Sequence, residues 1–262
     1  MFSDYEFGYS WYITYGAAIP LVLGVALVVA ARWRRWHAAL TVAGGIVAAW
    51  SAIALYVLNV AWGLSLPMNP PTSRFLASGS GRVLDVGAGS GRAAVGILLV
   101  RPNATVVGVD IYSGYWGIDD NTPERFMRNA RVAGAEGRAE ARTGDMRALP
   151  FRDGEFDAAV SSYAIDHLGR ADRAKAMAEV ARVLKPRGQF LVLIVNPDWK
   201  TMLIAPPIAH HPHPDPARWR QQFEDAGFEI EEQGYRPVTL YFLARKKKAR
   251  GVSALGLRTS SF

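Results

Sequence analysis

Residues 83–92 read VLDVGAGSGR, so Gly87, Gly89 and Gly91 follow directly on an apolar run that carries Asp85 near its end. Glycines at this spacing, with Ala88 between the first two, let a backbone turn sharply and approach a ligand closely. The helix start predicted after them adds amide donors and a positive dipole end. A second apolar run, VVGVDIY at 106–112, ends in Asp110. An acid about 20 residues after such a turn can accept hydrogen bonds from ribose hydroxyls. The two runs therefore point to a nucleotide-like ligand at the carboxyl edge of a parallel sheet, with Asp85 beside it.

A second cluster, His210, His211 and His213 with Asp215, sits in TMLIAPPIAHHPHPDP at 201–216. Imidazoles bind divalent metals. Prolines interrupt the segment, so no helical ligand spacing applies, and Asp215 is wanted as a helix cap; no metal site is assigned. Substrate lining and a plain loop both remain open for these histidines. There is no cysteine, which excludes disulfides, thiolate nucleophiles and thiolate metal sites.

The elements that must hold these residues alternate from residue 82 onward. Candidate strands are 82–86, 105–110, 139–144, 156–161, 189–195, 228–235 and 238–245. Helix signals fall in GRAAVGILLV, in TPERFMRNARVAG with Thr122 as cap, in ADRAKAMAEVARVLKPRG, and in DPARWRQQFEDAG with Asp215 as cap and Gly227 beyond the end. The first five strands alternate with helices and favour a parallel sheet. The last two are joined through GYRP, too short for a helix, and form an antiparallel hairpin. The fold class is α/β, a doubly wound seven-stranded Rossmann-like sheet with a terminal hairpin.

With these motifs in order, residues 72 to about 246 resemble the class I S-adenosylmethionine-dependent methyltransferases. VLDVGAGSGR is similar to the family's first motif and VGVDIY to its second; TGDMRALPF at 143–151, FDAAVSSYAIDHL at 156–168 and EVARVLKPRGQFLVL at 179–193 resemble the later segments. Proteins that bind NAD share only the first two. The resemblance implies S-adenosyl-L-methionine as cofactor, Asp110 on its ribose, Asp145 at the adenine amine with Met146 beside it, Ile111 along the adenine, and Ser161 in the loop facing the methionine part. It also implies catalytic or substrate-facing roles for Tyr163, Asp166 and His167, with His167 a candidate general base or a packed helix-start histidine. Tyr115 and Trp116 are read as part of an aromatic lid or a packed surface loop, and Trp199 as a substrate contact after the fifth strand.

Ahead of this domain, Trp11 to Ala31 and Ala38 to Met68 carry no charge. Each is long enough to cross a hydrocarbon core, which takes about 20 residues. Residues 1–62 are read as a two-helix membrane anchor (helices about 11–31 and 38–62), 63–81 as a linker with one short helix, 82–246 as the catalytic domain and 247–262 as a basic tail. Asp4 and Glu6 stand where a signal peptide would be basic. Trp33, Trp36 and Trp62 at segment ends suit bilayer interfaces. The formal charge of +7 is concentrated in RWRR at 32–35 and ARKKKAR at 244–250; beside membrane segments, anionic lipid is the partner this favours, and no nucleic acid is expected. The basic turn would lie in the cytoplasm by the positive-inside rule, whereas cofactor chemistry calls for a cytoplasmic catalytic domain; the chemistry is preferred. Gly44 and Gly45 allow close helix approach, so a homo-oligomer is open. The leading expectation is an integral membrane methyltransferase for a lipid or lipophilic small molecule. The alternatives are a small soluble thiol or other metabolite, a protein or RNA target (SSYA stands where amino-group methyltransferases carry NPPY or DPPY), and a cofactor sensor without turnover.

Overall fold

Valines and other β-branched or aromatic residues fill short runs that end at glycine or polar turns, and these runs become one seven-stranded sheet. The computed structural model describes residues 4–113, 118–196, 198–204 and 215–248. The strands are β1 (Ser80–Val86), β2 (Asn103–Asp110), β3 (Ala139–Thr143), β4 (Phe156–Ser162), β5 (Leu184–Val195), β6 (Phe228–Arg236) and β7 (Thr239–Lys246). Their order is β3-β2-β1-β4-β5-β7-β6. β1 to β5 pair in parallel, and β7 inserts antiparallel between β5 and β6. β1, β2 and β4 end together, so Asp85, Asp110 and the residues after Ser162 meet at one sheet edge.

Alternate residues on the strands feed two cores. Leu84, Val107, Val192 and Phe242 face α6 (Arg170–Val183) and α8 (Pro216–Asp225), where Trp219 and Phe223 are fully buried. Val83, Val106, Leu191 and Leu243 face α4 (Arg92–Val100) and α5 (Pro123–Val132). Thr122 and Asp215 cap α5 and α8 through their side chains. Two local expectations fail. Residues 71–77 form turns, not a short helix: the Thr72 hydroxyl accepts from the Arg74 amide and Phe75 is drawn into the core. β5 begins at Leu184, ahead of the predicted 189, because LKPRG extends the strand past a register shift with Arg187 at φ 68°.

The apolar N-terminal segments form α1 (Trp11–Tyr15), α2 (Ala18–Trp33) and α3 (Ala38–Tyr56), the last continued by a π-helical turn at Val57–Ala61. The spans Trp11–Trp33 and Ala38–Ala61 are long and apolar enough to cross a membrane. Val22, Leu23, Val29, Val42 and Ile46 are exposed, unlike the side chains of core helices. α2 and α3 touch through Gly24 and Gly44: a Cβ on either would sit 2.8 Å from the other's carbonyl oxygen or a neighbouring amide. Gly44 is thus used within the chain.

Residues 63–79 do not behave as a free linker. The Met68 amide donates to the Arg92 carbonyl at 3.1 Å, and the Met68 backbone crosses directly over Gly96 in α4. Ala normally improves a helix interior by about 1 kcal/mol over Gly. Here a Cβ would enter the van der Waals shell of the Met68 carbonyl. Gly96→Ala is therefore expected to destabilise the fold by about 1–3 kcal/mol, read as a lowered thermal midpoint; an unchanged or raised midpoint would contradict this packing.

Candidate active site

Gly87, Gly89 and Gly91 take φ of 73°, 51° and 84°, the left-handed region that favours glycine. The Gly87 and Ala88 amides both donate to the Val109 carbonyl, at 2.8 and 3.1 Å, and the Gly89 amide donates to Asp110 Oδ2 at 2.9 Å. Asp110 Oδ1 accepts from the Tyr112 amide at 2.7 Å. The turn after β1 is thus tied to the end of β2, and a cavity of about 740 Å³ opens above it.

Its wall contains Asp85, Gly87, Ala88, Gly89, Asp110, Ile111, Asp145, Met146, Tyr163 and His167 from the predicted set. Gly91 stands at the N-terminus of α4, packed against Phe126, outside that wall. Ser161 is also outside it: its buried hydroxyl donates to the Val86 carbonyl at 2.9 Å, and the next residue, Ser162, faces the cavity instead. Asp166 is buried away from the wall, where its charge supports Arg173, whose guanidinium lies 4.4 Å from the Trp219 ring centre. Trp199 is exposed on α7 (Trp199–Ile204) and does not line the cavity. Tyr115, Trp116, His210, His211 and His213 lie outside the described residues. Among the described residues no cluster suits a metal ion.

The sequence reading missed the other half of the wall. Tyr9, Ser10, Tyr12, Ile13 and Trp62 close the cavity from the N-terminal side, and Arg92 lies against Tyr9 and Trp62. The Trp62 indole donates to the Tyr163 hydroxyl at 2.8 Å, which shares a 2.5 Å hydrogen bond with Thr239. Burial pushes the Tyr163 phenol up to about 12, so it acts as a neutral hydrogen-bonding group and not as a base near neutrality. Asp145 is held below the usual carboxylate range by hydrogen bonds from the Arg147 guanidinium. Trp62 had a visible signal, an aromatic at the end of an apolar segment, but nothing local said which surface it would meet.

Asp85 carries the sharpest electrostatic feature. It is 1% exposed, its Oδ2 accepts from the Ala94 amide at 3.1 Å, and its Oδ1 has no hydrogen-bond partner. Burial, with a smaller contribution from Asp110, pushes its carboxyl up to about 7. An unsatisfied buried carboxylate oxygen on a cavity wall suits a cationic ligand.

The comparisons agree with this arrangement. Residues 83–188 match the family model described as a methyltransferase domain. The chain carries a class I S-adenosylmethionine-dependent methyltransferase domain. It is 36% identical over 120 residues to a ubiquinone/menaquinone biosynthesis C-methyltransferase of Citrifermentans bemidjiense, covering 44% of this chain and 46% of that one. It is 37% identical over 117 residues to a demethylmenaquinone methyltransferase of Thermus thermophilus, covering 44% and 48%. The chain thus spans about half the length of the curated relatives it matches. A solved S-adenosylmethionine-dependent methyltransferase from Methanosarcina mazei shares the fold, at TM-score 0.55, 21% identity and coverage of 70% of this chain and all of that one.

The residues present fit the cofactor. Asp85 would offer an anionic oxygen to its cationic part, Asp110 would offer acceptors to ribose hydroxyls, Ile111 and Met146 would offer apolar surface to adenine, and the glycine turn would leave room for close approach. When bound, S-adenosylmethionine supplies an electrophilic methyl group on sulfur. The chain's own part is to bind, orient and exclude water.

The raised Asp85 value fixes a pH dependence. The folded apo protein keeps this proton longer than the unfolded chain, whose Asp titrates near 3.9. Stability from this group is full below about pH 4 and is lost as pH rises through about 7. A cationic ligand selects the ionised form, so S-adenosylmethionine affinity is expected to rise between about pH 5.5 and 7.5, and Asp85→Asn to weaken binding about tenfold or more and flatten the profile. Calorimetry across that range checks this; a flat wild-type profile would contradict it.

Proposed function

We propose that this chain is an integral membrane methyltransferase whose acceptor is a lipid or lipophilic small molecule drawn from the bilayer. The observation that carries the reading is the composition of the cavity wall: one side is the cofactor turn, and the other is Tyr9, Tyr12, Ile13 and Trp62 from the base of the apolar hairpin. The turn at Arg32–Trp36 is exposed and basic, with Trp33 80% exposed, which suits a headgroup layer. Counting about 20 residues along each helix from that turn, enough for a hydrocarbon core of about 30 Å, ends near Ile13 and Val57. Ile13 lines the cavity roof and Val57 packs with it and Trp62 against the small cluster beside that roof, so a molecule dissolved in the bilayer meets the active site without crossing water.

α7 supports the same reading. The Trp50 indole on α3 donates to the Leu203 carbonyl at 2.7 Å, with Trp199 and Leu203 exposed beside it. A carbonyl near a helix end needs such a donor where water is excluded. The relatives named for ubiquinone and menaquinone biosynthesis fit a lipophilic acceptor. In this reading the catalytic domain is cytoplasmic and the turn arginines meet phosphates of the far face. His167, on the cavity wall, is the candidate base for the acceptor proton.

Full-length protein in nanodiscs, supplied with methyl-labelled S-adenosylmethionine and a host-cell membrane extract, is expected to put label into the organic phase. Label confined to water-soluble products or to precipitated macromolecule would contradict a lipophilic acceptor.

A further inference from the structure

Arg92 occupies the first position of α4 and is 6% exposed. Its Nε donates to the Leu66 carbonyl at 2.9 Å, and its Nη2 donates to the carbonyls of Trp62 and Gly63 at 2.6 and 2.8 Å. Nη1 is buried with no hydrogen-bond partner. The three acceptors are neutral carbonyls, so they orient the guanidinium without cancelling its charge. Arg147, the other arginine on the cavity wall, is neutralised by Asp145 and Asp172. Among the described residues no carboxylate forms an ion pair with Arg92.

The charge also sits on a particular side of the cavity. The Tyr9 and Trp62 ring centres are 5.8 and 6.0 Å from the guanidinium carbon, and Trp62 bonds Tyr163 in turn. These are the roof residues. The carboxylates Asp85, Asp110 and Asp145 line the cofactor side. A cationic cofactor is complementary to the second group and not to the first. A buried guanidinium with one unmade donor is expensive; the positive start of α4 and the negative end of the helix that stops at Ala61 both meet it, so their dipoles oppose one another. Arg92 lines the cavity, so a planar acceptor with an ionised oxygen would find the guanidinium and the aromatic faces together on one wall.

We propose that Arg92 is the oxyanion-binding residue of the acceptor site, so that the acceptor belongs to the class of lipophilic compounds carrying an ionised ring or enolic oxygen. Such an oxygen is itself a nucleophile and also enriches the conjugated carbon beside it, so the class covers methylation at oxygen or carbon. The inference rests on the lipophilic-acceptor reading. The same anion chemistry could be supplied by the cofactor's carboxylate, and the test separates the two sources.

The probes are 2-hydroxy-1,4-naphthoquinone, ionised at neutral pH, and neutral 1,4-naphthoquinone, titrated by tryptophan quenching against the full chain in nanodiscs; with no cysteine, thiol addition does not interfere. Wild type should bind the ionised probe about tenfold or more tightly than the neutral one. Arg92→Gln should abolish that preference and Arg92→Lys should keep part of it, both leaving S-adenosylhomocysteine affinity within about threefold. If S-adenosylhomocysteine binding falls while the probe preference survives, the anion is the cofactor's carboxylate and the acceptor assignment is overturned. No wild-type preference overturns the proposal even if both variants fail to fold. The titration reads binding without turnover, so it fails independently of the labelled-extract experiment.

Discussion

The glycine turn after β1 is the point from which the site is built. Its amides are used by the end of β2, through Val109 and Asp110, so the turn cannot move without the sheet edge. Its other side is held from the N-terminus. The Ser90 hydroxyl donates to the Phe7 carbonyl at 2.6 Å, and Asn129, fully buried, donates to the carbonyls of Glu6 and Ser90 while accepting from the Glu6 amide. Buried amides and carbonyls must be paired, and here each side completes the pairing of the other. The ligand turn and the N-terminal segment at residues 6–9 are therefore one unit.

This coupling makes the base of the apolar hairpin part of the site. Leu58 and Leu64 pack with Val238 in a small core of their own, and Trp62 reaches Tyr163 edge-on at 5.0 Å. Tyr163 adopts φ 50°, a strained position for a non-glycine residue, held by its contacts to Trp62 and Thr239. Strain of this kind collects where the surroundings fix a functional geometry. The hairpin base, the loop after β4 and the β6–β7 turn thus brace one another around the N-terminal side of the cavity.

Much of the fold was legible in the sequence. Strand ends at Val86, Asp110 and Val195 and the caps Thr122 and Asp215 stand where local patterns predicted, because short-range sterics and hydrogen bonding decide them. The glycine turn and the strand ends that meet at the cavity were legible for the same reason, since they are local objects. Ser161 and Ser162 show the limit. With a side-chain period of two, one step along β4 moves a hydroxyl from the Val86 carbonyl to the cavity, and neighbouring identical residues hide the register. Asp166 shows another, since its partner Arg173 lies on the next helix. The N-terminal roof was not legible at all. Asn129 looks like a solvated helix position, and only the tertiary fold brings residues 6–9 to it.

The N-terminal segment around Tyr9 closes the cavity. The isolated antiparallel bridge between Tyr9 and Ile118 offers a direct measurement in a chain free of cysteine. Opposed residues in such a bridge are within disulfide range. With Tyr9→Cys and Ile118→Cys combined, mild oxidation of the protein in nanodiscs should give an intramolecular disulfide in most molecules, faster than in a control pairing Tyr9→Cys with Ala133→Cys. Two freely alkylated thiols with no cross-link would show that the N-terminal segment does not sit on the cavity, and would contradict the account.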